Sequence, residues 1–112
     1  MLNEVRLEGF LCRRPEVNTM PDGTEKIAFT LFVQHPYIAD KYEYIDCVAW
    51  NASAVAFAKH VDTERPVILH GHLTSYVRND GVKGTSVNVR RWWNTDMRPG
   101  YLFPSKNTAA NA

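Results

Sequence analysis

YEYIDCVAWNASAVAFAKHV, residues 42–61, changes its period halfway along. Over 42–50, Tyr42, Tyr44, Asp46, Val48 and Trp50 share one face, and Ile45, Cys47 and Ala49 share the other. That is the alternation of a strand, and the small apolar set is the better core face. From residue 51 to 61 the spacing becomes helical. Ala54, Val55, Ala58 and Val61 recur on one side, four alanines favour a helix, and Asn51 is a good N-cap. The helix ends at DTERP, where Pro66 stops it. A strand that runs without a linker into a single helix is the pivot of the chain.

Strands flank that pivot on both sides. Residues 2–12 alternate, with Val5, Leu7, Gly9 and Leu11 on one face, and Gly9 marks a bend, a bulge or a close backbone approach. RRPEVNT (13–19) interrupts the pattern, and MPDGT (20–24) is a turn that joins a hairpin. Residues 26–35 form a second strand facing inward through Ile27, Phe29, Leu31 and Val33, and 36–41 is a loop opened by Pro36. Beyond the helix, 67–77 is a strand with Gly71 in its middle. Asn79-Asp80-Gly81 is a hairpin turn, and 84–93 is a strand with Val87 and Val89 on one side. The order of three strands, one helix and two strands predicts an all-β fold: a five-stranded OB-fold Greek-key barrel with one helix between strands 3 and 4. The barrel is expected over 1–98, and 99–112, with Pro99-Gly100 and a small polar run, as a flexible C-terminal tail.

Composition narrows the function. In 112 residues, 45% are hydrophobic and 12% aromatic, which excludes a disordered chain. Thirteen basic residues against twelve acidic ones leave a net charge of +1, which excludes a polycationic coat for phosphates. Binding led by aromatic stacking stays open. The charge is uneven: residues 1–56 hold five basic and eight acidic side chains, and 57–112 hold eight and four. No stretch is long and apolar enough for a membrane span, and MLNEVRLEGF is no signal peptide. Cys12 and Cys47 lack metal-ligand spacing and read as two small buried residues of a cytoplasmic protein. His70 and His72 share a strand face without a third ligand, so no metal site is expected. No nucleophile elbow, phosphate loop or carboxylate pair points to an enzyme, and no cofactor is implied. Tyr44 and Trp50, large rings on the outer face of one strand, call for a ligand or a partner.

The quoted segments, in order, resemble the bacterial and phage-type single-stranded DNA-binding protein family: LNEVRLEGFL with RRPEV, PDGT with IAFTLFV, YEYIDCVAWN, VILHGHL and a final hairpin. The resemblance covers about residues 2–93. It implies a protein that binds single-stranded DNA without sequence preference in replication, recombination or repair. It also implies a homo-oligomer, usually a tetramer, with a dimer possible here. The family's stacking rings fall on Tyr37, Tyr44 and Trp50. The fourth falls on Arg78, with Tyr76 two residues earlier on the same face as a substitute. Phosphate contacts are expected from Arg13, Arg14, Lys26, Lys59, Lys83 and Arg78. Asp46, Ala52 and Thr74 stand where the family has basic residues, so binding is expected to be stacking-led and unusually insensitive to salt. Residues 99–112 carry no acidic side chain, so recruitment of repair proteins through an acidic tail is not expected. The alternative reading is an OB-fold interaction module, such as a replication-restart accessory, that uses the same rings as an interface.

Overall fold

The computed structural model describes residues 1–95. Its elements are β1 (Val5–Leu11), β2 (Asn18–Thr19), β3 (Glu25–Gln34), β4 (Tyr42–Trp50), α1 (Asn51–His60), β5 (Val67–Val77) and β6 (Lys83–Asn94). The strands lie in the order β1-β5-β6-β4-β3-β2, and a further β1–β3 pairing closes the sheet into a ring. All neighbours are antiparallel except β4 and β6. This is the five-strand, one-helix OB-fold expected from the pattern, with one added short strand. The expected boundary at 98 and the tail at 99–112 lie outside the described residues. No helix among the described residues is long and apolar enough to cross a membrane.

The added strand changes one connection. The turn at 20–24 joins β2 to β3, not β1 to β3, with Asn18 opposite Lys26 and Thr19 opposite Glu25. β1 instead pairs mainly with β5 and meets β3 only at Phe10↔Phe32 and Leu11↔Leu31. The chain therefore crosses the barrel mouth through residues 12–17 before turning back. β1 also starts later than expected. At Asn3 the side chain takes the place of a strand backbone: Nδ2 donates to the Leu73 carbonyl at 3.0 Å, and Oδ1 accepts from the Leu73 N–H at 2.8 Å.

Two glycines close the barrel by letting strands touch. A Cβ on Gly9 would overlap the carbonyl of Phe32, and a Cβ on Gly71 would overlap that of Asn88. The pairing of β5 with β6 also shifts register between His70 and Gly71. Bulges of this kind sharpen strand coiling at a barrel corner.

The core lies inside the ring and under α1. Ile27, Leu31, Leu69, Val61 and Val67 are fully buried there, with Leu11, Val87 and Val89. The inward faces read from alternation on β1, β3, β4 and β6 hold, and on β5 the core side includes Val67 and Leu69. The helix differs in two ways. Its central residue is Phe57, which the small apolar set omitted; it is fully buried, stacked on Phe29 at 4.8 Å and edge-on to Trp92 at 5.0 Å. Asn51 does not cap the helix, because no side-chain cap bond forms at that end. It adopts φ +54°, a left-handed conformation that Asn tolerates, and its Oδ1 accepts from the Glu25 N–H at 3.2 Å. That bond holds the β4–α1 corner against the start of β3.

Candidate nucleic-acid interface

The outer face of β3 and β4 is set by their register. Direct cross-strand partners on it are Lys26 and Trp50, Ala28 and Val48, Thr30 and Asp46, and Phe32 and Tyr44. A groove of about 870 Å³ runs over this face. Its floor is Ala28, Thr30 and Val48; its walls include Arg13, Arg14 and Pro15 of the crossing loop on one side and Thr74 and Tyr76 of β5 on the other. Val48 is buried although it lies on the outer face, at the groove.

The rings are positioned by neighbours. Trp50 is 38% exposed, and the Lys26 ammonium stands 5.1 Å from its ring centroid. Tyr44 is 65% exposed and meets Phe32 edge-on at 4.6 Å. The Tyr76 ring lies directly on Gly84, where any Cβ would collide with it. A ring that covers a glycine on the next strand is held in place by that contact. Tyr37 stands apart. It is 90% exposed on the loop after β3 and does not line the groove. Its N–H and that of Ile38 donate to His35 Nδ1 at 3.1 and 3.0 Å, so His35 organises this loop.

The cations divide into free and engaged. Lys26 and Arg13 line the groove. Arg14 lines it too, but its Nη1 donates to the carbonyls of Ala58 at 2.9 Å and Lys59 at 3.3 Å. It thereby serves the carbonyl end of α1, where a cation is favoured. Arg78 is paired with Asp80 by two bonds of 3.0 and 3.4 Å in the β5–β6 turn. The carboxyl of Asp80 is held below its ordinary range, first by the Val82 N–H and then by Arg78. Lys59 sits exposed at the end of α1, and Lys83 is exposed at the start of β6. Neither lines the groove.

Phe32 and Cys12 are among the groove residues that were not anticipated. Phe32 carries the edge of Tyr44, and the alternation that selected Ile27, Phe29, Leu31 and Val33 as core already put Phe32 outside. Cys12, expected to be buried, is exposed and lines the groove. It follows the last residue of β1, where the sheet no longer covers it. Partial desolvation among the groove walls raises its thiol above the ordinary range, and the Arg13 charge partly offsets this. Thr74 Oγ1 is buried without a hydrogen-bond partner among the described residues. No cluster of three or more potential metal ligands occurs among the described residues.

Known proteins share this architecture. The wild-type single-stranded DNA binding protein from Thermus aquaticus superposes with a TM-score of 0.68 at 23% identity, over 94% of this chain and 46% of that one. A single-stranded DNA-binding protein of Halalkalibacterium halodurans is 33% identical over 87 residues, which is 72% of this chain and 52% of the relative. One from Clostridium perfringens is 28% identical over 91 residues, 79% of this chain and 61% of the relative. The chain thus spans between about half and three-fifths of the length of these curated relatives. The model of the single-strand binding protein family matches residues 2–92, the span that builds the barrel and both walls of the groove, and the chain belongs to that family.

Proposed function

We propose that this chain binds single-stranded DNA without reading its sequence, by stacking bases along the outer face of β3 and β4. The observation that carries the reading is the groove itself. It brings Trp50, Lys26 and Tyr76 together, with Tyr44 at its edge on Phe32. Each base–aromatic contact supplies roughly 1–3 kcal/mol and is indifferent to base identity, because every base has a π-face. Lys26 and Arg13 are the cations most available to phosphate, while Arg14 and Arg78 are held by other groups. Asp46 lies on the same face, opposite Thr30. Two engaged arginines and one carboxylate support a shallow dependence on salt for a short strand held in this groove alone. Protection of single strands in replication, recombination or repair, and assembly as a homo-oligomer, tetramer or dimer, belong to the same proposal.

Titration with oligo-dT at low salt, followed by Trp fluorescence, tests it. Quenching that is weakened in Trp50→Ala and in Tyr44→Ala supports the reading. Absence of quenching at micromolar protein overturns it and leaves the ring face to a protein interface.

A further inference from the structure

A second cleft, of about 470 Å³, lies between the first turns of α1 and the end of β6. Ala52, Ser53 and Ala56 form one side, and Arg90, Arg91, Trp92 and Trp93 form the other. Val89 and Trp92 both pack on the core although three positions apart, so Arg90 and Arg91 between them break the ordinary alternation of a strand. The cause is the register shift in β6: His70 pairs with Arg91 and Gly71 with Val89, so Arg90 is passed over. A bulge of this kind re-aims side chains. It places two arginines side by side, both exposed, with no carboxylate partner among the described residues. The facing first turn of α1 carries no acidic residue. Trp93 is 40% exposed and meets His70 edge-on at 4.8 Å.

We propose that this cleft is a second contact for the same DNA strand, which leaves the main groove past Trp50, crosses the start of α1 and meets Arg90 and Arg91; the proposal rests on the single-stranded DNA reading above. The two clefts adjoin through the chain itself. Trp50 lines the first and Ala52 the second, within about 7 Å along the backbone. The small side chains of Ala52, Ser53 and Ala56 leave room for a phosphodiester backbone. Guanidinium groups match phosphate with paired N–H donors, and an exposed indole offers a base a stacking face. The cleft thus supplies cations that the main groove lacks, and the positive excess of residues 57–112 is partly located there.

The test compares oligo-dT of about 6 and about 16 nucleotides, within the span one OB-fold covers. Affinity is measured over a salt series for the unaltered protein and for Arg90→Gln/Arg91→Gln. Loss of two phosphate contacts lowers the log–log salt slope for the longer oligonucleotide by about 1.4 and leaves the shorter one unaffected. Arg90→Lys/Arg91→Lys keeps the unaltered slope. An unchanged slope for the longer strand in the glutamine variant overturns the proposal and leaves the main groove standing. So does an equal loss for both lengths, which marks general damage. Failure of the unaltered protein to bind either oligonucleotide overturns the single-stranded DNA reading itself.

Discussion

The ammonium of Lys26 stands 5.1 Å from the centroid of the Trp50 ring, and the two residues are direct partners across β3 and β4. On the proposed reading, this one cross-strand pair offers both a stacking surface and a charge for a phosphate. The cation also holds the indole, since a Lys over a Trp face contributes about 0.5–1 kcal/mol at exposed sites.

Removing each half of that pair separates the two contributions. Trp50→Ala is expected to weaken oligo-dT binding by about 1–3 kcal/mol at any salt concentration. Lys26→Gln should weaken it mainly at low salt and reduce the salt slope by about 0.7. Fluorescence anisotropy with a labelled oligonucleotide at several salt concentrations checks both. Equal salt slopes for the two variants would contradict the assignment.

The two cysteines should behave oppositely toward a thiol reagent. Cys12 is exposed in the groove and Cys47 is buried in the core. The native protein is expected to release one fast equivalent and the urea-unfolded protein two. Saturating oligo-dT should slow the fast one, because Cys12 lines the groove proposed for the strand. Labelling at the same rate with and without DNA would place the strand elsewhere.

Cys47 also sets an alkaline limit. Burial, with a smaller push from Asp46, raises its thiol from 9.0 to about 12. The folded state holds this proton more tightly than the unfolded state does. The resulting stabilisation is complete below pH 9 and is lost as pH rises toward 12, at about 1.4 kcal/mol per pH unit. Urea unfolding at about pH 8 and about pH 10 should show this fall, and Cys47→Ala should show a smaller one.

Phe57 is the keystone of the helix–barrel contact. It is fully buried between Phe29 and Trp92. Phe57→Ala is expected to cost about 3–5 kcal/mol of stability, read as a lower urea midpoint. Ala54→Gly, at the neighbouring buried helix position, should cost only about 1 kcal/mol through helix propensity.

Glycine substitutions should divide by location. Gly71→Ala sets a methyl group against the Asn88 carbonyl, whereas Gly23 sits in an open turn at φ +89°. Gly23→Ala is expected to cost about 1–2 kcal/mol from left-handed backbone strain. Gly71→Ala must push two strands apart and should cost more, about 3 kcal/mol, or prevent folding. Thermal unfolding of the two variants gives the order.

The chain order of the five long strands, the helix after Trp50 and the inward faces of β1, β3, β4 and β6 were legible in the chain, because burial imposes periods of 2 and 3.6 residues locally. The same alternation placed Tyr44 and Trp50 outside. Phe57 escaped notice because Ala54, Val55, Ala58 and Val61 suggested a helix face built of small residues. Asn51 has an N-cap's chemistry, but its side chain found a donor at Glu25, far along the chain.

Long-range pairing decided the remainder. Arg14 and Arg78 are as basic in sequence as Arg13 and Lys26. Only the fold turns Arg14 onto the carbonyls of Ala58 and Lys59 in α1, whereas Arg78 meets Asp80 two residues on within its own turn. Only barrel closure at Gly9 and Gly71 brings the crossing loop, β3, β4 and β5 around one groove, and only the β6 register shift sets Arg90 beside Arg91 in a second cleft. Periodicity is a property of neighbours in the chain and can be read there. Whether a charge such as Arg14 remains available to a ligand depends on partners distant in sequence, and those meet only in the folded barrel.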